Sequence, residues 1–290
     1  MLLGVEKMIR YESEKIDKVL LDNELVVFHK IDNVHYMDKP HFHNGYEVHF
    51  TLTNATSYQV DGRTYVADAG SIALFSSEEI HRVSIDRNKL YERYCILFKP
   101  SFVEEFTSHH PTLLEIYNRG DCIPLNEGDK KKMIRLFEEL IAADKREESI
   151  YRLLAKIKLI EILVFITERM EKDEDSLVVT QHTNQVVLSK IIAYIKNQYM
   201  EEITLDLLSD IFFLSKSTII RMFKTSIGMT PNQYLIYTRI MRSRDLLQEG
   251  YTVKEVAIRI GYKDESSFIK KFKELQGESP KQYALKMLRS

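Results

Sequence analysis

The segments FKTSIGMTPNQY (residues 223–234) and FKELQGESPKQY (residues 272–283) decide the architecture of the C-terminal third of this chain, because they are two copies of one pattern. The copies are offset by 49 residues and match at seven of twelve positions, which chance does not explain. The matching pairs are Phe223/Phe272, Lys224/Lys273, Gly228/Gly277, Pro231/Pro280, Gln233/Gln282 and Tyr234/Tyr283, with Thr230/Ser279 as the one similar pair.

Each copy ends a larger unit that has the pattern of a helix, a tight turn and a second helix. A short helix is predicted over residues 205–212 and again over residues 253–260. The second helix of each unit begins near a capping residue, Ser215 or Asp264. A glycine then ends that helix, and a proline opens the next one. The sequence therefore predicts two helix-turn-helix units in an all-α C-terminal domain.

Two such units would place their second helices in successive major grooves of DNA, about 34 Å apart. Arg221 suits guanine, Glu265 suits cytosine N4, and Ile220 or Ile269 suits a thymine methyl group. The candidate DNA-binding residues are Lys216, Ser217, Thr218, Ile220, Arg221, Lys224, Glu265, Ser266, Ile269 and Lys270. The candidates for phosphate contact are Lys216, Lys224, Arg239, Lys271 and Lys273. The competing interpretation is a helical bundle with an ordinary solvated basic face, and the repeat favours DNA binding.

Charge is divided unevenly along the chain. Residues 187–290 hold 17 basic and 11 acidic residues, so they carry +6, whereas the rest carries -8. The two cysteines, Cys95 and Cys122, have no disulfide-framework or metal-type spacing, and neither a signal peptide nor a membrane helix is evident. We therefore expect a soluble cytoplasmic protein without a membrane partner, whose basic third binds nucleic acid.

Residues 187–286 resemble the DNA-binding domain of the AraC/XylS family of transcription regulators. The first unit corresponds to ITLDLLSDIFFLSKSTIIRMFK, and the second, which is the more specific, to VKEVAIRIGYKDESSFIKKFKELQGESPKQY. The resemblance implies binding to promoter DNA, contact with RNA polymerase, and activation of transcription as the usual outcome.

The N-terminal part has the pattern of a small β-barrel or sandwich. The predicted strands are LVVFHKI, YEVHFTLT, SYQVDGRTYVA, SIALF, HRVSI and YCILF, between residues 25 and 98. Asp61-Gly62 predicts a hairpin within the third segment, and Ala69-Gly70 predicts another turn. The order of His41, His43, Glu47 and His81 resembles the cupin motif, which implies a cupin-like barrel as a sensor domain.

These histidines and their neighbours are the candidate effector pocket. Its predicted residues are His41, His43, Glu47, Tyr58, Arg63, Tyr65 and His81, with Tyr46 as a further aromatic neighbour. The same His41, His43, Glu47 and His81 have the ligand types for zinc, iron or manganese. A metal-dependent enzyme, a metal used for sensing, and a metal-free pocket are therefore the three interpretations. We favour the metal-free pocket and predict no cofactor.

These observations predict an α+β chain with two folded domains. We expect a cupin-like barrel at 1–125, a helical dimerisation segment at 126–170, a linker at 171–186 and the DNA-binding domain at 187–290. The helices over 130–142 and 150–170 carry the apolar surface for a homodimer. The predicted function is a transcription regulator, not an enzyme, that senses a small molecule. The family resemblance implies a carbohydrate or related metabolite as that small molecule. The alternatives are a cupin-type metalloenzyme with a helical appendage and a regulator without an effector.

Overall fold

The computed structural model describes residues 24–32, 41–43, 45–61, 63–76, 79–85, 90–119, 122–146, 148–172 and 183–287. The chain divides into two compact units, Met1–Gln181 and His182–Ser290. Across these described ranges, no helix has both the length and the apolar character that crossing a membrane requires. The first unit is rich in β-structure and the second is helical, so the predicted α+β class is confirmed.

Two antiparallel sheets form the frame of the first unit. The strands are β1 (Leu25–Asp32), β2 (Tyr46–Thr51), β3 (Thr56–Val60), β4 (Arg63–Ala67), β5 (Ser71–Phe75), β6 (His81–Ser84), β7 (Tyr91–Phe98) and β8 (Cys122–Pro124). One sheet has the order β1-β7-β2-β5-β8, and the other has the order β4-β3-β6. The six predicted segments are confirmed as strands, with two differences. Strand β7 begins three residues before the predicted YCILF, and the short edge strand β8 was not predicted.

Both predicted turns between these strands are confirmed. Val60 pairs with Arg63 across the β3–β4 hairpin, so only two residues connect the strands. Asp61 has φ 44°, the left-handed conformation that the first central residue of such a turn requires; Gly62 lies outside the described residues. Gly70, with φ 98°, makes the turn between β4 and β5.

The five-stranded sheet has two chemically different faces, because successive side chains of a strand point to opposite sides. Even-numbered residues of β2, β5 and β7 form the outer face and pack with the helices of this unit; they include Val48, Phe50, Ile72, Leu74 and Ile96. Odd-numbered residues form the inner face, where Ala73, Phe75 and Tyr91 pack with residues of the three-stranded sheet. The space between the inner face and the three-stranded sheet is called the inter-sheet interior below.

The helices that cover the outer face are α1 (Glu104–Thr107), α2 (Thr112–Arg119), α3 (Glu127–Asp144) and α4 (Ser149–Lys172). A 3-10 turn over Pro100–Phe102 precedes them. Met133, Phe137 and Leu163 are fully buried in the core that these helices share with the sheet. Helices α3 and α4 therefore complete the core of the first unit, and most of the apolar surface predicted for dimerisation is buried within it.

The second unit consists of helices α5 (Thr183–Asn197), α6 (Leu205–Phe212), α7 (Lys216–Ser226), α8 (Pro231–Gln248), α9 (Val253–Arg259), α10 (Glu265–Gln276) and α11 (Pro280–Met287). Two ends of the predicted linker over 171–186 are helical. Residues 171–172 complete α4, and residues 183–186 open α5. The polar composition of this stretch indicated a linker, but polar residues also suit the exposed ends of helices.

Candidate DNA-contact helices and the inter-sheet interior

Helix α7 is the second helix of the first helix-turn-helix unit. Its N-cap is Ser215, whose Oγ accepts a hydrogen bond from the Thr218 backbone N–H at 3.2 Å, as predicted. Ile219 and Phe223 are buried and fix the face that packs on the domain. The opposite face exposes Lys216, Ser217, Arg221 and Lys224, whereas Thr218 and Ile220 are half-buried.

Helix α10 repeats this arrangement in the second unit. Asp264 is the N-cap, and its carboxylate accepts a hydrogen bond from the Ser267 backbone N–H at 2.8 Å. This hydrogen bond lowers the pKa of Asp264, because it stabilises the ionised carboxylate. Phe268 and Phe272 are fully buried. Glu265, Ser266 and Lys270 are exposed and Ile269 is half-buried, so these predicted residues share the solvent side of α10.

The repeated residues make the same contacts in both units. The ring of Phe223 meets Tyr234 edge-on at a centroid distance of 5.8 Å, and Phe272 meets Tyr283 in the same way at 5.5 Å. A second repeated contact is a capping box at the start of α8 and α11. The Thr230 backbone N–H donates to Gln233 Oε1 at 2.8 Å, and the Ser279 N–H donates to Gln282 Oε1 at 3.0 Å. The self-match in the sequence thus encodes two equivalent packing units.

The basic residues proposed for phosphate contact differ in what they touch. Lys216 forms an ion pair with Asp206, and Lys271 pairs with Glu274 at 2.6 Å. Arg239 is engaged within its own domain, because its guanidinium donates to the backbone carbonyls of Tyr199 at 2.7 Å and Glu201 at 2.8 Å. Arg239 therefore ties α8 to the segment before α6, a use that sequence spacing does not reveal.

Four residues of the predicted effector pocket converge in the inter-sheet interior. His41, His43, Glu47 and His81 are each at most 6% exposed. His43 Nε2 lies 2.6 Å from Glu47 Oε2, and His81 Nε2 lies 3.3 Å from the same oxygen. An isolated β-bridge between His41 and His81 holds the two segments together, with backbone hydrogen bonds of 2.9 Å in both directions.

Burial and the imidazoles have opposite effects on the Glu47 carboxyl group. Burial would raise the pKa of Glu47, but the contacts with His43 and His81 outweigh it and hold the pKa well below its usual value. Burial lowers the pKa of His81, because it disfavours the charged imidazolium. The interior thus holds the Glu47 carboxyl group beside two imidazole rings, out of contact with water.

The other predicted pocket residues occupy three different positions. Tyr58 and Tyr65 are buried on the three-stranded sheet, and Arg63 lies nearer the solvent with an ion pair to Glu79 at 3.7 Å. The interpretation of Tyr46 as a pocket residue is wrong. Its even position in β2 turns it to the outer face, where its ring lies 4.5 Å from that of Tyr117.

Sequence reasoning missed a second group of polar residues on the inner face. His49 is fully buried, its Nδ1 lies 3.0 Å from the Tyr58 hydroxyl, and its Nε2 lies 3.0 Å from the Tyr91 hydroxyl. Burial lowers the pKa of His49 to about 4. Arg93 is also fully buried, and it donates to the Tyr91 carbonyl at 3.2 Å. The alternation of side chains along β2 places His49 on the same face as Glu47, so this residue could have been identified from the sequence. Arg93 could not, because the predicted strand YCILF begins only at residue 94.

Two groups of buried side chains in this interior have metal-ligating atoms close together. One consists of His41, His43 and His81, and the other of Glu47, His49 and Cys95. Within each group, the ligand atoms lie within 4.8 Å of one another. The interior is therefore lined by polar side chains with hydrogen-bonding and metal-ligating atoms, and not by apolar side chains alone.

Comparison with family models divides the chain in the same order as its two units. Residues 24–163 match the model of an AraC-like ligand binding domain, and residues 208–286 match a helix-turn-helix domain. The two matches lie in the β-rich unit and in the unit with the repeated helices, respectively.

Similar proteins are found along most of the chain. The transcriptional activator RhaS of Enterobacter sp. (strain 638) is 22% identical over 83% of this chain and 86% of its own length. The uncharacterized transcriptional regulator YbfI of Bacillus subtilis is 24% identical over 78% of this chain and 79% of its own. Among solved structures, ToxT from Vibrio cholerae is 15% identical with a TM-score of 0.36, covering 90% of this chain and 97% of that one.

Proposed function

The chain belongs to the AraC/XylS family of transcription regulators, and from this premise we propose that it activates transcription in response to a small molecule bound in its first unit. It is a DNA-binding regulator with an AraC-like ligand-binding domain. Activation is supported by the similarity to RhaS, which is named a transcriptional activator. Because the protein is a transcription regulator, we expect no catalytic turnover in the inter-sheet interior. Its site of action would be the cytoplasm, at promoter DNA and RNA polymerase.

The repeated exposed faces of α7 and α10 carry the proposal for how DNA is bound. Base contacts are assigned to Arg221 and Ile220 of α7 and to Glu265 and Ile269 of α10. The proposed contact set also includes Lys216, Ser217, Thr218, Lys224, Ser266 and Lys270. For phosphate contact we favour Lys224 and Lys273, because both are exposed whereas Lys216 and Lys271 form ion pairs with acidic residues. Both helices are fixed by a cap at one end and by buried aromatic rings along one side.

The test is a footprint of the full-length protein on DNA upstream of its own gene and neighbouring genes. We expect protection over two adjacent major grooves, with Arg221→Ala and Lys270→Ala each weakening one half of it. The matched control is Lys281→Ala, which removes an exposed lysine from α11 and should leave the footprint unchanged. Loss of protection in the control but not in the two variants would contradict the assignment.

The polar inter-sheet interior supports the proposal of a small-molecule effector, and we assign it to a carbohydrate or a related metabolite. A polyhydroxylated ligand suits the proposed pocket, because imidazole, carboxylate, phenol and guanidinium groups all form hydrogen bonds with hydroxyls. The proposed pocket residues are His41, His43, Glu47, Tyr58, Arg63, Tyr65 and His81. A thermal-shift screen of sugars, repeated with Glu47→Gln, tests this assignment. A protein whose promoter affinity changes with no compound would instead be a regulator without an effector.

An exposed apolar stripe on α4 supports the proposal of a homodimer. Ile150, Ile157 and Val164 are 63%, 47% and 40% exposed and recur every seven residues, as in helices that pair along a seam. Leu153 and Leu154 widen the stripe at 45% and 37% exposed. A second copy of the same helix is the occupant that this spacing suits. The dimer would present two DNA-binding domains to one promoter.

The proposed activation is tested separately, by in vitro transcription with purified RNA polymerase.

A further inference from the structure

The first helices of the two helix-turn-helix units present differently charged surfaces. Alignment of α6 and α9 on their N-caps, Thr204 and Thr252, pairs Asp206 with Lys254. Helix α6 contains two acidic residues and no basic one, whereas α9 contains two basic residues and one acidic one. The exposed charged residues are Asp206 and Asp210 on α6, and Lys254, Glu255 and Arg259 on α9.

Apolar side chains adjoin both sets of charges. Phe213 directly follows α6 and is 93% exposed, and Ile211 and Ile258 are exposed on α6 and α9. Phe213 also has φ 53°, and a backbone strained in this way is retained where it serves a function. We call Asp206, Asp210, Ile211 and Phe213 the α6 surface, and Lys254, Ile258 and Arg259 the α9 surface.

The α9 surface is basic because its acidic neighbour is engaged elsewhere. The Glu255 carboxylate accepts hydrogen bonds from the Thr252 backbone N–H at 2.9 Å and from the Thr252 hydroxyl at 2.7 Å, as part of the helix cap. The Arg259 guanidinium lies 4.2 Å from the ring centroid of Tyr251 at an exposed position. Lys254 and Arg259 therefore present two positive charges beside an exposed isoleucine.

The α6 surface is unsuited to DNA. Phosphate groups repel carboxylates, and proteins contact the DNA backbone mainly with basic residues. Asp206 forms an ion pair with Lys216 of α7, whereas Asp210 lies exposed three residues before Phe213. A carboxylate near an exposed aromatic ring suits a protein surface that has both cations and apolar side chains.

The α9 surface of a second copy has this chemistry. Both surfaces are exposed within one chain, so they do not cover each other. We propose that the α6 surface of one copy docks on the α9 surface of a second copy bound at the neighbouring DNA site. Asp210 would meet Lys254 and Arg259, and Phe213 would pack with Ile258. The contact is head-to-tail, since different surfaces of the two copies meet.

The size of the two surfaces limits when the contact forms. They hold four and three side chains, far fewer than the roughly 20 residues that each partner contributes to a stable complex. Two copies held on one DNA molecule have a high effective concentration, so a weak contact becomes populated there. The inference rests on the proposed DNA binding by α7 and α10, and it adds cooperative occupation of neighbouring sites to that function.

The experiment titrates full-length protein against DNA that carries one or two copies of the footprinted site. All measurements use the Ile157→Glu background, because a charge in the α4 stripe removes pairing through that helix. The two sites have either the same or inverted orientation, at spacings of whole helical turns. A head-to-tail contact joins copies on sites of the same orientation, whereas inverted sites bring like surfaces together. On sites of the same orientation, we expect the second copy to bind at least about tenfold more tightly than the first, and on inverted sites we expect no such gain.

Substitutions on the two surfaces test the contact itself. Arg259→Glu and Phe213→Ala should each remove most of the gain, because they remove a charge attraction and an apolar contact, respectively. Combining Asp210→Arg with Arg259→Glu should restore the gain in part, because opposite charges then face each other again. Lys281→Glu is the matched control, since it makes the same charge change on the exposed side of α11 and should keep the gain. Affinity for a single site shows that each variant is folded and should be no lower than that of the control.

The outcomes separate this inference from the proposed function. An equal gain on both orientations, or a gain that survives in both Arg259→Glu and Phe213→Ala, would overturn the inference. Loss of single-site binding in Phe213→Ala would place this ring on DNA and overturn it as well. A protein that binds a single site but shows no gain overturns this inference alone. A protein that binds no site overturns the DNA-binding proposal, and this inference with it.

Discussion

Gly261 lies at the turn between the two helices of the second helix-turn-helix unit, where it is confined in two ways. Its φ is 84°, in the left-handed region that side chains disfavour. A Cβ at this position would lie 2.8 Å from the Met200 carbonyl carbon, closer still to its oxygen, and 2.9 Å from Arg239 Nη2. Gly277 shares the φ, at 80°, but a Cβ there would meet nothing within 4 Å.

Substitution of each glycine by alanine should therefore lower the free energy of unfolding by a different amount. Gly277→Ala should lower the free energy of unfolding by about 1 kcal/mol, the cost of a left-handed alanine. Gly261→Ala should lower it by more than about 3 kcal/mol, because a collision with backbone is added to that cost. Urea unfolding of both variants measures the difference. Equal losses would mean that the contact with Met200 relaxes freely.

Phe213 lies at the corresponding turn of the first helix-turn-helix unit, where its side chain is exposed and not confined by neighbouring atoms. It has φ 53°, yet it is 93% exposed, so its side chain contributes little packing. Phe213→Gly should raise the free energy of unfolding by about 0.5 kcal/mol, because relief of the left-handed strain exceeds the entropy cost of glycine. Phe213→Ala is the control, since it removes the ring and retains the strain. Thermal melts in which alanine stabilises as much as glycine would contradict this explanation.

At the scale of elements, the repeat fixes where helices begin. Thr230 caps α8 through a capping box, and its Oγ1 accepts from the Gln233 backbone N–H at 3.3 Å. Thr230→Ala should lower the free energy of unfolding by about 1 kcal/mol, the typical loss of an N-cap. The exposed Thr225 in the last turn of α7 provides the matched control, because Thr225→Ala removes no cap. Chemical denaturation should show a change below about 0.5 kcal/mol for this control.

Helix boundaries were predictable because their signals are local. The caps Ser215 and Asp264 were identified from residue type and position, and the side chain of each accepts a hydrogen bond from the backbone N–H three residues later. The start of β7 could not be predicted in this way, because the charged residues Glu92 and Arg93 directly precede the apolar segment YCILF. Arg93 is nevertheless buried, since its charge faces a polar interior rather than an apolar core.

At the scale of the whole molecule, the α4 stripe makes the oligomeric state testable. Ile157→Glu should shift a dimer toward monomer, because it places a charge at the centre of the seam while remaining solvated in the monomer. Sedimentation velocity at micromolar concentration measures the shift. Lys131→Glu changes the charge of an exposed residue on α3, outside the stripe, and should leave the distribution unchanged. A wild-type protein that is strictly monomeric, with and without DNA, would contradict the dimer.

The sequence by itself determined the repeated helix-turn-helix pattern, the strands and the DNA-contact candidates. Helix caps, helix-ending glycines and side-chain alternation each involve only a few neighbouring residues, so they can be recognised in the sequence. Only the tertiary structure decided which polar residues meet. His81 reaches Glu47 through the His41 bridge, and Arg239 reaches Tyr199 from 40 residues away. These contacts depend on strand register and helix packing between distant segments, which local residue patterns do not encode.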